Sequence, residues 1–264
     1  MKKYFVIGNP IKHSLSPKLH NYWIQKDNIQ ALYEKIELNE SEIRKFILDI
    51  KQKKISGANV TVPFKNSVIS YLDKLSPEAA ETQSVNTISL SNNNLIGHNT
   101  DITGFTKAIE SIDFNLKNKK VFILGAGGVV PSIIYALKKM EVLDIAISNR
   151  TKEKAENLKK KYKNLEVVDW GNLPDFDLII NATSLGLNNE TINLDFSNVG
   201  HNKLFYDVIY NPGETNFLKK GKELGNKTEN GKLMFVYQAF EAFKLWHQTE
   251  PKINEETLKL LDND

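Results

Sequence analysis

The amino-acid sequence predicts an α/β protein with two domains. Apolar segments of strand length alternate with helical segments along the 264-residue chain, as in folds that cover sheets with helices. After Asp101 the strands become almost entirely apolar, which is typical of a parallel sheet buried on both faces. A chain of this length can form one large or two modest domains. We therefore place a boundary near Asp101, with domains over 1–101 and 102–237 and a tail over 238–264.

The first domain contains short strands and helices in alternation. Residues 3–7 predict a buried strand that ends at Gly8-Asn9-Pro10. Ser16 and Pro17 predict a helix to about Gln25, with the serine as N-cap and the proline at the first helical position. The other predicted elements are strands over 31–38 and 56–62, a helix over 41–53, a helix that begins at Ser76-Pro77, and a hairpin of 86–90 with 95–98.

The second domain shows a more regular alternation. A helix is predicted from the end of the first strand to about Met140, and a second one over 152–162. A helical pattern extends over 232–262, and its apolar stripe is expected to pack in the core. That stripe consists of Phe235, Ala239, Phe243 and Trp246. The predicted strands are 119–124, 143–148, 165–168, 177–181 and 203–208.

The composition excludes several classes of function. The net charge is +3, and basic residues are interleaved with acidic ones over 152–163, as on a solvated surface rather than a nucleic-acid interface. There is no cysteine, and the five histidines show no metal-ligand spacing, so we expect no metal site. No apolar run approaches the ~18–20 residues of a membrane span. Residues 1–10 lack the features of a signal peptide, so we expect a cytoplasmic protein.

A glycine-rich turn joins the strand over 119–124 to the following helix. Its residues are Gly125, Ala126, Gly127 and Gly128. Glycines allow a tight turn and a close approach of the backbone to a pyrophosphate, which binds the free N–H groups of the helix N-terminus. The turn therefore predicts a dinucleotide site. The alternative is a sharp turn without a ligand, and Val130 replaces the small residue usual at the third position of the motif.

The end of the next strand indicates which dinucleotide is bound. An NAD enzyme usually has an acidic residue there, which holds the ribose 2′-hydroxyl. This chain has Asn149, Arg150 and Thr151 instead, with Lys154 one turn later. A guanidinium group matches a 2′-phosphate, and this arginine is one of only two in the chain. The segment predicts NADP, although Thr151 as a helix cap and Arg150 as a surface residue would also be consistent with it.

Small polar residues are concentrated in the loops of the first domain. Asn, Ser and Thr side chains supply the paired donors and acceptors that a small, highly hydroxylated ligand requires. The clusters are Ser14-Leu15-Ser16-Pro17, Asn59-Val60-Thr61-Val62-Pro63-Phe64-Lys65, Val85-Asn86-Thr87 and Asn99-Thr100-Asp101.

These clusters, in this order, resemble the shikimate dehydrogenase family over essentially the whole chain. The heptapeptide that ends at Lys65 and the run Asn99-Thr100-Asp101-Ile102-Thr103-Gly104 are the most specific parts of the match. The resemblance also includes Gly8-Asn9-Pro10, the glycine-rich turn, Ser148-Asn149-Arg150-Thr151, Asn181-Ala182-Thr183-Ser184-Leu185-Gly186, Asp207-Val208-Ile209-Tyr210-Asn211-Pro212 and Gln238.

The resemblance implies a fold and a reaction. The fold is an N-terminal α/β substrate domain, a Rossmann-type doubly wound NADP domain, and a C-terminal helix that returns to the first domain. The reaction is the NADPH-dependent, reversible reduction of 3-dehydroshikimate to shikimate, on the pathway to chorismate and the aromatic amino acids. The family allows a monomer or a homodimer.

The resemblance also implies a role for each matching residue. Lys65 and Asp101 form the catalytic pair and contact the substrate. Ser14 and Ser16 bind the substrate carboxylate, with Tyr210 nearby. Thr183 lines the nicotinamide pocket. The ring hydroxyls are bound by Asn59, Thr61, Asn86 and Gln238, and the 2′-phosphate by Asn149, Arg150 and Thr151.

The proposed catalytic pair makes chemical sense by itself. Hydride addition to a carbonyl carbon places negative charge on the oxygen, and a cation at that oxygen can stabilise the charge and donate a proton. Lys65 suits this role, and a carboxylate such as Asp101 would position it. Taken singly, Lys65 could be a surface lysine, and Asp101 and Ser16 could be helix caps.

Two other functions fit parts of the sequence. A relative that oxidises quinate or uses NAD would share most of the motifs, but the absence of an acid at 149–151 argues against NAD. A non-catalytic NADPH-binding sensor would retain the glycine-rich turn and Arg150 without needing Lys65 and Asp101.

Overall fold

The protein consists of two units, which we describe in a computed structural model. The first unit comprises residues 1–104 together with the C-terminal segment from Val236, and the second comprises Phe105–Phe235. The structure describes residues 1–262, so the last two residues of the predicted tail, 263 and 264, lie outside the described residues.

Each element of the first unit follows from its local sequence. In the helix Glu40–Lys51, for example, Ile43, Phe46, Ile47 and Ile50 recur at helical spacing and are all buried. The elements, in chain order, are β1 (Lys2–Gly8), α1 (Ser16–Lys26), β2 (Ala31–Glu37), α2 (Glu40–Lys51), β3 (Gly57–Val60), a 3-10 helix (Ser67–Tyr71), β4 (Lys74–Leu75), α3 (Pro77–Thr82), β5 (Thr87–Ser91), β6 (Asn94–His98) and α4 (Asp101–Glu110), which continues into the second unit.

The sheet of the first unit has the order β2-β1-β3-β5-β6-β4. Strands β1, β2 and β3 are parallel, whereas β5 pairs antiparallel with both β3 and β6. The mixed sheet brings the loop after β3 next to the segments that precede β5 and follow β6. Those segments carry the polar clusters identified in the sequence.

The second unit has an entirely parallel sheet. Its elements are β7 (Lys120–Leu124), α5 (Val130–Lys139), β8 (Asp144–Ser148), α6 (Lys152–Lys161), β9 (Leu165–Val167), β10 (Leu178–Asn181), β11 (Leu204–Asp207), α7 (Asn216–Glu223) and β12 (Lys227–Glu229). The strand order, β12-β11-β10-β7-β8-β9, reverses direction between β7 and β10. This is the doubly wound order of dinucleotide-binding folds, in which ligands bind at the point of reversal, outside the carboxyl ends of the strands.

The predicted C-terminal helix returns to the first unit. Helix α8 (Lys232–His247) begins in the second unit, and its residues from Val236 onward belong to the first. Trp246 Nε1 donates to the Ile88 carbonyl oxygen over 3.0 Å, and the Trp246 ring lies 4.9 Å from the ring of Tyr4. The apolar stripe of this helix is buried as predicted. The predicted fold class is therefore confirmed.

Three details of the predicted secondary structure were wrong. The first residue of α1 is Ser16 itself, and its N-cap is Leu15, because the serine hydroxyl is engaged by Ser14 instead of the helix backbone. The tail is not one helix: it breaks after His247, where Gln248 has a φ of 54° and Pro251 follows, and α9 (Glu255–Lys259) begins afterwards. The strands β4 and β12 were not predicted, because two or three residues carry too little pattern.

No helix within residues 1–262 has the length and hydropathy needed to cross a membrane.

Candidate active site

The two proposed catalytic side chains form a buried ion pair in the first unit. Lys65 Nζ donates to Asp101 Oδ2 over 2.5 Å, and the two residues are 9% and 6% exposed. A buried lysine is rare unless a carboxylate pairs with it. The interpretation of Lys65 as an ordinary surface lysine is therefore wrong.

The loop after β3 carries Lys65 to this position. Thr61 continues the sheet by donating its N–H to the Ile7 carbonyl oxygen, and a tight turn follows in which Phe64 N–H bonds the Thr61 carbonyl oxygen. The Phe64 ring is buried in the core of the unit. The carbonyl of Lys65 accepts the N–H of Val85 over 2.8 Å, so the backbone of the lysine is held next to the segment that carries Asn86.

Asn86 fixes the other member of the pair. Its Nδ2 donates to Asp101 Oδ1 over 2.9 Å, and its Oδ1 accepts the backbone N–H of Thr100 over 2.8 Å. Asp101 is the first residue of α4, but its two carboxylate oxygens are bound by Lys65 and Asn86. Its contacts are thus with side chains that the sheet brings together.

The polar network extends from Asn86 to Asn59 on β3. Asn59 Nδ2 donates to Thr87 Oγ1 over 2.9 Å and to the Asn86 carbonyl oxygen over 3.1 Å. Its Oδ1 accepts the hydroxyl of Tyr33 over 2.6 Å. Both N–H groups of the Asn59 amide are therefore used inside the protein, and only its carbonyl oxygen retains a free lone pair.

The remaining proposed substrate residues are distributed over both units. Ser14 precedes α1 and Ser16 is its first residue; Ser14 Oγ donates to Ser16 Oγ over 3.2 Å. Thr61 is half-buried after β3, and Gln238 is half-buried on the part of α8 that belongs to the first unit. Tyr210 belongs to the second unit, where its ring stacks on Phe235 with 4.3 Å between centroids.

The glycine-rich turn lies between β7 and α5, at the point where the strand order reverses. Gly125 has a φ of +107°, and a Cβ there would lie 2.7 Å from the Ala182 carbonyl oxygen, so the fold itself requires glycine. A Cβ on Gly127 would meet only that same oxygen, at 4.0 Å. The fold does not require glycine at 127, and the lack of a side chain there leaves open space beside the turn.

The donors of this turn fit a pyrophosphate. Ala126 N–H is already bound by Asn149 Oδ1 over 3.0 Å. Within residues 1–262 the N–H groups of Gly127 and Val129 have no hydrogen-bond partner. Pro131 lies in the first turn of α5, where its missing N–H costs nothing. Two unpaired backbone donors at the start of a ten-residue helix are the kind of group that could hold an anion.

The segment after β8 fits a second anionic group. Asn149 is fixed by Ala126 N–H and by its own bond from Nδ2 to the Thr151 carbonyl oxygen over 2.8 Å. Thr151 is the N-cap of α6, but its side chain makes no capping hydrogen bond. Arg150 and Lys154 are exposed, and neither side chain has an ion-pair partner in the described part of the chain. Both cations are available to a phosphate group.

Thr183 follows β10 and is held by a buried network in the second unit. Its hydroxyl donates to Asn181 Oδ1 over 2.7 Å, and Asn181 Nδ2 in turn donates to Asp207 Oδ1 over 3.1 Å. Burial raises the pKa of the Asp207 carboxyl, and hydrogen bonds from Thr215, the Ile209 N–H and Asn181 act in the opposite direction. This network fixes the loop that faces Gly125.

Tyr33, Asn181 and Asp207 had no role predicted from the sequence. For Tyr33 a usable signal existed: a tyrosine in an otherwise buried strand needs a partner for its hydroxyl. Asn181 and Asp207 lie inside quoted motifs, but their contact depends on the pairing of β10 with β11. Among residues 1–262 no group of three or more histidine, aspartate or glutamate side chains is placed so that it could hold a metal ion.

Comparison with known proteins agrees with this geometry. Residues 6–88 match the family model described as shikimate dehydrogenase substrate binding domain, and residues 107–193 match the one described as shikimate / quinate 5-dehydrogenase. A shikimate dehydrogenase (NADP(+)) of Pelagibacter ubique (strain HTCC1062) is 57% identical over 264 residues, which cover 99% of this chain and 100% of that protein.

Solved structures give the same result. The crystal structure of shikimate dehydrogenase from Aquifex aeolicus superposes with a TM-score of 0.90 at 37% identity, covering 100% of this chain and 98% of that one. Shikimate 5-dehydrogenase from Thermus thermophilus, in complex with NADP(H) and shikimate, has a TM-score of 0.90 at 28% identity, with 99% and 98% covered. Because the Pelagibacter ubique protein is 57% identical and is matched over its full length, the chain belongs to the shikimate dehydrogenase family.

Proposed function

We propose that this chain catalyses the reversible NADPH-dependent reduction of 3-dehydroshikimate to shikimate, a step towards chorismate and the aromatic amino acids. The single observation that carries the proposal is the buried pair of Lys65 and Asp101, with 2.5 Å between Nζ and Oδ2. The names of the relatives and their NADP complexes support the same reaction.

Lys65 provides the cation and the proton of the reaction. NADPH, when bound, supplies the hydride that adds to the carbonyl carbon. As the C=O π electrons move to oxygen, the Lys65 ammonium group stabilises the charge and transfers a proton to that oxygen. The product is a secondary alcohol, and the lysine regains its proton from solvent. In the direction of oxidation, Lys65 accepts the proton of the hydroxyl group.

Asp101 and Asn86 position the lysine. The carboxylate accepts a hydrogen bond from Lys65 Nζ, and Asn86 holds the other carboxylate oxygen, so the ammonium group has few alternative orientations. Fixed donors of this kind need no reorganisation while charge develops. Asp101 also offers an acceptor to a substrate hydroxyl.

The substrate roles follow the family resemblance. Ser14 and Ser16 would bind the carboxylate, with Tyr210 nearby. Asn59 would accept a hydrogen bond from a ring hydroxyl, since its N–H groups are used within the protein. The other ring-hydroxyl residues would be Thr61, Asn86 and Gln238.

The cofactor roles rest on the donors of the second unit. Gly125, Ala126, Gly127 and Gly128 would border the pyrophosphate, to which Gly127 offers a free N–H group. The 2′-phosphate would be bound by Asn149, Arg150, Thr151 and Lys154, and Thr183 would line the nicotinamide pocket. The absence of an acid at 149–151 supports NADP over NAD. The cytoplasmic location and the monomeric or dimeric state stay predictions.

A spectrophotometric assay tests the reaction. Purified protein is mixed with shikimate and NADP, and in parallel with shikimate and NAD and with quinate and NADP. Rapid NADPH formation with the first pair alone is the expected result. Comparable rates with quinate or NAD would make the enzyme a broader quinate/shikimate dehydrogenase. NADPH binding without turnover of any pair would instead indicate a sensor.

The Lys65→Ala variant tests the role of the pair. We expect kcat to fall by ~10²–10⁴ with a modest change in KM, because a general acid is removed while the binding residues remain. Lys54→Ala is the matched control, since Lys54 is an exposed lysine that also pairs with an aspartate, Asp49. A near-normal kcat in Lys65→Ala would refute the assignment.

A further inference from the structure

Tyr33 is buried next to the proposed substrate site but does not belong to any of the polar motifs. Its side chain is 1% exposed, so the phenol cannot contact a ligand directly. Its hydroxyl donates to Asn59 Oδ1 over 2.6 Å. The only polar group of this ring is therefore directed at a residue that is expected to bind a ring hydroxyl.

The position of the Tyr33 ring is strongly fixed. Asn21 of α1 binds the backbone of Tyr33 on both sides: its Nδ2 donates to the Tyr33 carbonyl oxygen over 2.7 Å, and its Oδ1 accepts the Tyr33 N–H over 2.9 Å. The ring stacks on His20, with 4.2 Å between centroids and 1° between planes. Strand β2 is an edge strand, and these contacts replace the neighbour that it lacks.

The phenol also remains a hydrogen-bond donor over the working pH range. Burial raises the pKa of Tyr33 well above its ordinary value, and a hydrogen bond with the Ser16 side chain acts in the opposite direction. The neutral hydroxyl can give its proton to Asn59 while it interacts with Ser16. Tyr33 thus connects a residue expected to bind the substrate carboxylate with one expected to bind the ring.

We infer that Tyr33 is a positioning residue of the substrate site, which holds the Asn59 amide so that its carbonyl oxygen accepts a hydrogen bond from one ring hydroxyl of the substrate. This inference rests on the proposed function. With Nδ2 bound to Thr87 and Asn86, and one lone pair of Oδ1 bound to Tyr33, Asn59 offers the ligand a single acceptor and no donor.

The Tyr33→Phe variant removes the hydroxyl and keeps the stacked ring. The buried Oδ1 of Asn59 then lacks a donor in the free protein, and its orientation is less well defined. We expect KM for shikimate to rise about tenfold, because the Asn59 amide is no longer held in the orientation that accepts the substrate hydroxyl, and the loss of one well-oriented hydrogen bond is worth roughly that factor. Because the Lys65–Asp101 pair is untouched, kcat should change less than about threefold, and KM for NADP should stay the same.

Tyr206→Phe is the matched control. The Tyr206 hydroxyl is also buried, but within residues 1–262 it has no hydrogen-bond partner, and the residue lies in the second unit. Both variants are compared with the unchanged protein by their unfolding midpoints, by steady-state kinetics, and by the Kd of shikimate from equilibrium titration. The titration does not depend on turnover.

Analogues of shikimate can distinguish a positioning role of Tyr33 from a general loss of structure. Each analogue lacks one ring hydroxyl but retains the hydroxyl that is oxidised. For the analogue that lacks the hydroxyl bound by Asn59, most of the difference in KM between the unchanged protein and Tyr33→Phe should disappear, and what is left reflects the lost contact with Ser16. With the other analogues the tenfold difference should persist. An equal penalty with every substrate, a fall in kcat at constant KM, or behaviour identical to Tyr206→Phe would overturn the inference. If the unchanged protein neither binds nor oxidises shikimate, the proposed function fails as well.

Discussion

His20 should make the first unit less stable as the pH falls below neutrality. Its ring is fully buried, and neither nitrogen has a hydrogen-bond partner within the described residues. Aromatic rings surround it, including Tyr33, Trp23 and Trp246. Burial, and secondarily the charge of His247, lower the pKa of His20 from 6.5 to about 3. A proton therefore binds to the unfolded chain more readily than to the folded one.

The sign and size of the effect follow from linkage. Above pH 6.5 the ring is neutral in both states and the pKa difference has no effect. Between pH 6.5 and about 3 the unfolded state binds the extra proton, so stability falls by ~1.4 kcal/mol per pH unit. At pH 5 the loss is about 2 kcal/mol. This is a large part of the free energy of unfolding of a typical protein, which is ~5–15 kcal/mol.

Urea unfolding of the His20→Leu variant measures this contribution. A Trp170→Phe background removes the tryptophan of the second unit, so that the fluorescence of Trp23 and Trp246 reports on the first. We expect the unchanged His20 protein to lose about 2 kcal/mol more than His20→Leu between pH 7.5 and pH 5. The exposed His13 serves as the control, changed to Gln. Equal losses with and without His20 would refute the reasoning.

Three further predictions concern the second unit. Arg150→Ala should raise KM for NADP by roughly 10- to 100-fold and leave KM for NAD nearly unchanged, because a charge-assisted contact to the 2′-phosphate is lost. Arg44→Ala is the control. Parallel changes of KM for both cofactors would contradict the assignment of Arg150. Gly125→Ala should lower the free energy of unfolding, measured with denaturant, by ~1–3 kcal/mol, because residue 125 has a φ of +107°. Gly127→Ala should unfold like the unchanged protein but bind NADPH more weakly in a fluorescence titration, and a normal affinity would contradict our account of the turn.

Much of the second unit could be predicted because its signals are local. A buried strand, three glycines in four residues and a helix are adjacent in the chain, and Arg150 follows the next strand directly. The doubly wound strand order then places the turn at the reversal between β7 and β10. In such a fold, neighbours in sequence determine most of the site.

The first unit could be predicted less completely because its site is built from distant segments. Lys65 and Asp101 were identified by resemblance, and only the mixed sheet explains why both Lys65 and Asn86 reach the Asp101 carboxylate. The bond from Tyr33 to Asn59 joins residues 26 positions apart and depends on the order of β2, β1 and β3. Local periodicity carries no information about such pairs.

The contrast between Gly125 and Gly127 has a consequence for the history of the family. At position 125 the fold needs glycine, whereas at position 127 only the proposed contact with a pyrophosphate would need it. A descendant of this chain that kept the fold but lost its nucleotide would be free to acquire side chains at the second position, though not at the first. Positions 125 and 127 are therefore under different selection, the first for the fold and the second for the nucleotide. The residues found at these two positions in relatives would distinguish a protein that has lost its cofactor from an active enzyme.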